Sequence, residues 1–201
     1  MTQPAIVDEQ QLSPFMVAIG ASGGEGLGDI KDLLAALPAD LPAVVLVVLH
    51  RPSDQISRLK EVLSPGSQMP VLIAEQGDRF RAGRCYIGEP DAHLTLAAKS
   101  DVRLVDGAGD RHRNRTIDIL FESIAAHAKV RGIGVVLSGL LSDGSRGLEA
   151  IAHAGGVTMV LTRDGVAEPG MPQSAVAYDG PIDVLGSAAT IAREIILRVG
   201  A

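Results

Sequence analysis

The stretch that decides the fold reads Phe15-Met16-Val17-Ala18-Ile19-Gly20-Ala21-Ser22-Gly23-Gly24. It begins with an apolar run typical of a strand, and a helix-like segment follows its glycines. Glycine lets the backbone bend sharply and lets another group approach closely. The stretch therefore predicts a strand, a tight turn and a helix, with Ser22 at the tip of the turn. The spacing Gly20-x-Ser22-x-Gly24 also fits a nucleophile elbow, in which a serine hydroxyl projects beside a helix N-terminus.

Strand and helix patterns alternate along the rest of the chain. Strands are predicted at 15–20, 43–49, 71–74, 83–88, 94–97, 102–105, 133–137, 157–161 and 182–185, and helices at 25–37, 53–64, 116–129, 145–154, 173–178 and 187–199. The uninterrupted apolar runs at 44–49 and 133–137 suit strands that are covered on both faces. The fold class predicted is α/β, a doubly wound and mostly parallel sheet. Between 83 and 105 no helix separates the strands, which predicts an attached antiparallel β-hairpin.

Composition narrows the classes of function. The chain has 201 residues, of which 46% are hydrophobic, so one globular domain is expected at 14–201, preceded by a flexible polar tail at 1–13. A net charge of −6 and only two Tyr, three Phe and no Trp argue against nucleic-acid binding. The single cysteine, Cys85, rules out an intrachain disulfide and is expected to be a buried structural thiol. Without a secretory signal or a membrane-spanning run, the prediction is a cytoplasmic protein with no membrane insertion.

Three polar side chains follow three central strands of the predicted sheet. Ser22 follows the first strand, His50 the second, and Asp143 comes shortly after the strand at 133–137. Ligands of open α/β sheets bind beyond the carboxyl ends of the strands. A serine needs a base to become nucleophilic, and the base needs a carboxylate to orient it. The placement predicts a Ser22-His50-Asp143 triad, although its chain order differs from that of the α/β-hydrolases.

Other interpretations of these residues remain open at the level of sequence. Ser22 and Asp143 could each cap the helix that follows, and His50 could be a hydrogen-bonded strand end. The turn at 20–26 also resembles the glycine-rich turn of short-chain dehydrogenases. That interpretation lacks its partners, because His50 stands where a ribose-binding residue is needed and no Tyr-x-x-x-Lys pair is present. No metal site is predicted, since the five histidines show no close pairing and there is no cysteine cluster.

Six pieces of the chain carry a resemblance to a known family. They are Gly20-Ala21-Ser22-Gly23-Gly24, His50-Arg51-Pro52, Gly83-Arg84-Cys85-Tyr86-Ile87, His112-Arg113 with Ile117-Asp118-Ile119-Leu120-Phe121-Glu122-Ser123, Ser138-Gly139-Leu140-Leu141-Ser142-Asp143-Gly144, and Gly170-Met171-Pro172. In this order, over about residues 15–199, they resemble the catalytic domain of the bacterial chemotaxis protein-glutamate methylesterases, the CheB family. The family's catalytic serine, histidine and aspartate fall on Ser22, His50 and Asp143.

The resemblance implies an activity and its partners. It implies hydrolysis of glutamate γ-methyl esters on the cytoplasmic domain of methyl-accepting chemoreceptors, and in many members deamidation of receptor glutamines. No metal or organic cofactor is implied. The 13 residues before the domain are too few for the receiver domain usual in the family. A stand-alone catalytic domain is therefore predicted, with a separate regulatory protein left open as a partner.

Five further residues are predicted to position the oxyanion or the substrate: Gly23, Leu140, Met171, Arg51 and Arg113. Three of them depart from the family pattern, because Gly23 stands for Thr, Arg51 for Met and Leu140 for Met. The basic cluster at 111–115, together with Arg51, is predicted to orient an acidic substrate. Two alternatives remain. One is a catalytically weak domain that binds a receptor or signalling partner, and the other is an esterase or amidase for another protein.

Overall fold

The computed structural model describes residues 14–50, 57–106, 115–178 and 180–200. Its strands are β1 (Phe15–Ser22), β2 (Ala43–His50), β3 (Val71–Ile73), β4 (Arg84–Ile87), β5 (Ala92–Leu96), β6 (Val102–Asp106), β7 (Gly132–Val136), β8 (Val157–Leu161) and β9 (Val184–Gly186). Its α-helices are α1 (Gly23–Ala36), α2 (Leu59–Leu63), α3 (Thr116–His127), α4 (Ser145–His153), α5 (Met171–Ala177) and α6 (Ala188–Val199). The predicted tail at 1–13 lies outside the described residues.

Seven strands form one parallel sheet in the order β3-β4-β2-β1-β7-β8-β9. The predicted doubly wound α/β fold is confirmed. The two longest strands, β1 and β2, lie next to each other near the middle, and the first seven residues of β2 are all buried. A strand buried on both faces needs apolar residues at every position, which is why its sequence does not alternate.

Each face of the sheet carries its own layer of helices. Val17 and Ile19 of β1 belong to a core shared with α1 and α6, whereas Met16 and Ala18 belong to a core shared with α3, α4 and α5. Successive side chains of a strand point to opposite faces, so a single apolar strand contributes to both cores. The site described below is built mainly from the ends of β1, β2 and β7 and from the α3–α4 layer.

The predicted hairpin is confirmed in part of its range. Strands β5 and β6 pair antiparallel as a separate two-stranded sheet. Leu94 and Leu96 of β5 and Val102 of β6 pack into the same core as α3. The piece at 84–87 is instead β4, a parallel member of the main sheet. The sequence between 83 and 88 therefore belongs to the sheet and not to the hairpin, because it pairs with β2 and β3.

Helix boundaries differ from prediction where proline intervenes. The helix expected at 53–64 is described as α2 from Leu59 to Leu63, and Ser64–Gly66, with its central proline, forms a 3₁₀ turn. The part predicted at 53–56 lies outside the described residues. Helix α5 begins two residues earlier than expected, at Met171, with Pro172 in its first turn. Proline is tolerated in the first turn because its missing N–H has no intrahelical partner there.

The buried-thiol prediction for Cys85 is confirmed. The residue is fully buried in β4, and burial raises the pKa of its thiol to about 12. A thiol in this state is protonated and unreactive at neutral pH. Within the described ranges, no helix is long and apolar enough to cross a membrane.

The strand order reverses between β1 and β7. Strands β2, β3 and β4, which follow β1 in the chain, lie on one side of it. Strands β7, β8 and β9 come later in the chain and lie on the other side. The amide of Ser22 donates to the carbonyl oxygen of Ser138 at 3.0 Å, which joins the last residue of β1 to the chain just beyond β7. Such a reversal is where open α/β sheets bind their ligands, because the loops diverge there and leave a crevice.

Candidate active site

Ser22 is the last residue of β1 and the N-cap residue of α1. Its φ of −143° is extended, and Gly23 then takes a φ of +73°, so the chain turns sharply from strand into helix. The Ser22 side chain makes no capping hydrogen bond to α1. Thus the serine stands at a capping position while its hydroxyl does not cap the helix.

His50 and Asp143 are in direct contact. His50 Nε2 lies 2.6 Å from Asp143 Oδ2, and the side chains are 20% and 2% exposed. Ser22 and His50 are aligned partners in the β1–β2 register, and neighbouring strands are about 4.8 Å apart. Among the described residues, the Ser22 hydroxyl makes no hydrogen bond to the imidazole. The structure thus brings the three predicted residues to one place and bonds two of them.

Asp143 also caps a helix, but not the one that follows it. Its Oδ2 accepts from the amide of Ile117 at 2.9 Å, and its Oδ1 accepts from the amide of Asp118 at 2.9 Å. Both amides belong to the first turn of α3, where N–H groups have no intrahelical partner. The N-cap of α4 is Gly144, with φ of +97°. Asp143 therefore caps a helix, as the capping interpretation predicts, but the helix is α3 and not α4, which follows it.

Asp118 makes the reciprocal connection, from α3 to the start of α4. It lies in the first turn of α3, is 4% exposed, and its Oδ1 accepts from the amides of Gly144 at 3.0 Å and Gly147 at 2.8 Å. Burial raises the pKa of Asp118. The amide of Gly147 opposes that rise, and the negative charge of Asp143 adds to it. The sequence does not predict this role for Asp118, because the amides that it binds lie 26 and 29 positions further along the chain.

The loop between β7 and α4 closes tightly over Ser22. A β-carbon at Gly139 would stand 2.7 Å from Ser22 Cβ and 2.9 Å from Ser22 N, and would also collide with Met171 Sδ. The Gly139 carbonyl accepts from the Met171 amide at 2.8 Å. Met171 is fully buried, and its side chain packs against the loop at Gly139. The next residue, Leu140, is 78% exposed.

A buried aspartate of α1 supports the same loop from the other face. Asp29 Oδ2 accepts from the amide of Ser138 at 3.2 Å, and Asp29 Oδ1 accepts from Arg163 Nη2 at 3.0 Å. Arg163 also pairs with Glu168, at 3.1 Å from Nε to Oε1. Since Ser138 in turn binds the Ser22 amide, Asp29 fixes the backbone on which Ser22 rests. Nothing in the local sequence around Asp29 signals this role, because its partner lies 109 positions away.

The predicted substrate-binding arginines are only partly described. Arg51 and Arg113 lie outside the described residues. Arg115, the last member of the basic cluster, pairs with Glu122 at 3.2 Å and lies 3.8 Å from Asp118 Oδ2. Arg115 therefore forms ion pairs with two residues of α3.

The site belongs to a parallel α/β domain that carries a serine, a histidine and an aspartate at a topological switch point. Residues 17–195 match the CheB methylesterase family model. The chain therefore belongs to the CheB methylesterase family. The predicted family resemblance is confirmed.

Named relatives agree with this assignment. A Yersinia pestis protein is 37% identical over 189 residues, covering 91% of this chain and 53% of the relative. A Burkholderia thailandensis protein is 37% identical over 173 residues, covering 85% and 48%. Both are named protein-glutamate methylesterase/protein-glutamine glutaminase. The chain spans about half the length of these curated relatives.

A solved structure shows the same fold. The crystal structure of the Thermotoga maritima CheB methylesterase catalytic domain superposes with a TM-score of 0.82 at 29% identity. The match covers 93% of this chain and 100% of that one. The segment of the longer relatives that this chain matches is thus comparable to a domain crystallised by itself.

Proposed function

We propose that this chain is a serine hydrolase that removes methyl groups from glutamate γ-methyl esters of chemoreceptors. The observation that carries the proposal is the 2.6 Å bond between His50 Nε2 and Asp143 Oδ2, next to a serine whose hydroxyl caps no helix. The names of the relatives supply the ester and the second substrate, the side-chain amide of glutamine. The Ser22-His50-Asp143 triad is part of the proposal.

Acylation begins with the histidine nitrogen that faces away from the acid. Because Nε2 is bound to Asp143, Nδ1 is the atom that takes the hydroxyl proton of Ser22. Ser22 Oγ then attacks the ester carbonyl carbon. Asp143 keeps the imidazole oriented and stabilises the imidazolium that forms. Collapse of the tetrahedral intermediate expels the methoxy group, which receives the proton from His50 and leaves as methanol.

Backbone amides stabilise the oxyanion. Gly23 begins α1, so its N–H has no partner within the helix, and the amide near Leu140 lies on the loop that packs against Ser22. An oxyanion donor of this kind is worth about 3–4 kcal/mol in the transition state. The positive end of the α1 dipole adds to the same effect.

Deacylation repeats the steps with water as the nucleophile. His50 takes a proton from water, the hydroxide attacks the acyl carbon, and Ser22 Oγ leaves and regains its proton. The products are the receptor glutamate and the free enzyme. For a glutamine substrate the first leaving group is ammonia in place of methanol. Every proton is carried by His50, so the sequence of steps requires no metal or organic cofactor.

The proposed partner is the cytoplasmic domain of a methyl-accepting chemoreceptor, and the proposed location of the protein is the cytoplasm. Arg51 and Arg113 are proposed to orient an acidic receptor segment, as predicted from the sequence. Neutralising Arg113 should reduce the salt dependence of activity, since the arginine would attract the substrate through screened charge. Salt dependence equal to that of the wild type would refute this role.

The deciding experiment is methanol release from a methylated chemoreceptor by Ser22→Ala. Turnover should be lost while the melting temperature stays near that of the wild type, because the Ser22 side chain makes no capping bond. Ser187→Ala is the matched control. Ser187 caps α6 by accepting from the Thr190 amide at 3.3 Å, so this variant should lose about 1 kcal/mol of stability and keep its activity. Methanol release by Ser22→Ala at the wild-type rate would refute the proposal.

A second candidate function is a catalytically weak domain that binds a receptor or signalling partner. It is favoured by one observation, the lack of a hydrogen bond from the Ser22 hydroxyl to His50 among the described residues. Labelling by a fluorophosphonate distinguishes the two candidates. An active hydrolase is labelled at Ser22, and a binding domain is not.

A further inference from the structure

Asp143 and Asp118 are linked by a two-way exchange of hydrogen bonds. The amide of Asp118 donates to Asp143 Oδ1, and the amide of Gly144, the residue next to Asp143, donates to Asp118 Oδ1. Asp143 therefore accepts hydrogen bonds at the start of α3, the helix that carries Asp118. Asp118 accepts hydrogen bonds at the start of α4, the helix that follows Asp143. The exchange closes a ring that contains the carboxylate bound to His50.

The ring restrains Asp143 from two directions. Its side chain is bound to the first turn of α3, and its following backbone is bound to the Asp118 side chain. A third bond, from the Gly147 amide to Asp118 Oδ1 at 2.8 Å, fixes the first turn of α4 to the same oxygen. Asp118 Oδ1 belongs to α3 and accepts from amides at the start of α4, so it connects the two helices. A shift of α4 relative to α3 would therefore also move Asp143.

The amides that the Asp118 carboxylate binds are buried. Gly144, Gly147 and Asp118 itself all have little exposed surface, so removing the carboxylate takes the acceptor away from two buried N–H groups. A buried amide left without a partner is costly, and the structure relaxes to recover one. Relaxation here would displace the start of α4 and the aspartate that precedes it.

We propose that Asp118 is a positioning residue for the proposed hydrolase, which holds Asp143 in the orientation that His50 requires. This inference rests on the proposed function for its kinetic readout and on the structure for its second readout. Asp118 does not contact the substrate in this proposal. Its effect passes through Asp143 to His50.

The kinetic test compares three variants by methanol release from methylated receptor. Asp118→Ala should lower kcat by about 10- to 100-fold, the usual consequence of misplacing a catalytic group by about 1 Å, and should leave KM within about twofold. Asp118→Asn keeps a carbonyl oxygen that accepts from Gly144 and Gly147, so its kcat should stay within about threefold of the wild type. Asp118→Ser, whose side chain is too short to reach both amides, replaces the alanine variant if that one does not fold.

Asp183→Ala is the control for removal of an aspartate that accepts a backbone hydrogen bond away from the site. Asp183 accepts from the amide of Thr158 at 2.8 Å and from its hydroxyl at 3.1 Å, in the β8–β9 region. Its loss should reduce stability and leave kcat unchanged. If Asp183→Ala lowers kcat as much as Asp118→Ala does, the effect is one of general stability and the proposal is wrong.

The second readout does not depend on activity. The proton between His50 Nε2 and Asp143 should give a downfield NMR resonance at low temperature, identified by its loss in His50→Gln. The resonance should shift or vanish in Asp118→Ala and persist in Asp118→Asn and Asp183→Ala. An unchanged resonance in Asp118→Ala overturns the proposal, whatever the rates. A changed resonance in a protein whose wild type releases no methanol supports Asp118 and refutes the proposed function.

Discussion

The two halves of the candidate site, the Asp143 half and the Ser22 half, are held by different kinds of interaction. Asp143 is held by hydrogen bonds to His50 and to two amides of α3. Ser22 is held by its backbone, through a bond to Ser138 and close packing against Gly139, while its hydroxyl caps nothing. The acid is restrained by polar groups and the serine by the shape of the chain.

This difference predicts opposite sensitivities. The Asp143 half should fail when a polar atom is removed, because buried donors then lose their acceptor. The Ser22 half should fail when an atom is added, because its backbone has no free space around Gly139.

Asp143→Asn should lower kcat by about 10³- to 10⁴-fold, because an amide keeps the shape of the side chain but cannot stabilise the imidazolium. The measurement is methanol release from methylated receptor, with the melting temperature as a check on folding. A loss below tenfold would show that the bond to His50 contributes little to the reaction.

Gly139→Ala should lower kcat by about 100-fold and stability by about 1–3 kcal/mol, because the added methyl collides with the backbone and side chain of Ser22. Activity and urea unfolding measure the two effects. The control is Gly28→Ala, on an exposed position of α1 with open space around it, which should be stabilising by about 0.5–1 kcal/mol. Wild-type activity in Gly139→Ala would show that the Ser22 half tolerates an added atom, contrary to the proposed difference between the two halves.

Asp118 should make stability depend on pH in a defined direction. Its pKa is raised in the folded protein above the ordinary value of 3.8, so the native state holds this proton more tightly than the unfolded chain. The stability that the protonated group contributes is fully present below the unfolded pKa and is lost as the pH rises through the folded pKa.

Asp118→Asn removes that titration. The stability of the wild type minus that of Asp118→Asn should therefore decrease as the pH rises above 3.8 and through the raised pKa of Asp118 in the folded protein. Urea unfolding of both proteins across this range measures the difference. A difference that increases with pH would mean that hydrogen bonds from Gly144 and Gly147 outweigh burial.

Gly23→Ala should have the smallest effect, a loss of about 1 kcal/mol of stability, because φ of +73° is unfavourable for a residue with a β-carbon although no atom stands in its way. Gly24→Ala is the control one residue later. It has open space and no positive φ, so it should be neutral or slightly stabilising. If both variants lose equal stability, the backbone angle at Gly23 is not the cause.

Much of the fold was predictable because apolar periodicity records burial directly. The runs at 44–49 and 133–137 were correctly assigned to central parallel strands, and the helices at 25–37 and 187–199 were placed within two residues. The sequence predicts the piece at 83–88 to be part of the hairpin, because no helix separates it from the next strand. Only its pairing with β2 and β3 shows that it belongs to the main sheet.

The candidate site was predictable to the extent that its residues follow strands. Parallel strands bring their carboxyl ends together, so a polar residue after each of β1, β2 and β7 predicts a common location. The sequence does not identify Asp118 and Asp29 as part of the site, because their hydrogen-bond partners are 26 and 109 positions away. No local pattern encodes which distant amide a buried carboxylate accepts from.

The amino-acid sequence alone predicts that Ser22 stands on a strand-to-helix turn and that His50 and Asp143 follow neighbouring strands, because nearby residues encode local backbone preference and burial. Which groups hold these residues depends on the tertiary structure. It assigned Asp143 to the N-terminus of α3 and Asp118 to that of α4, and it pressed Gly139 against Ser22. Those contacts depend on how two helices and one loop pack across the sheet, and packing is a property of the whole chain.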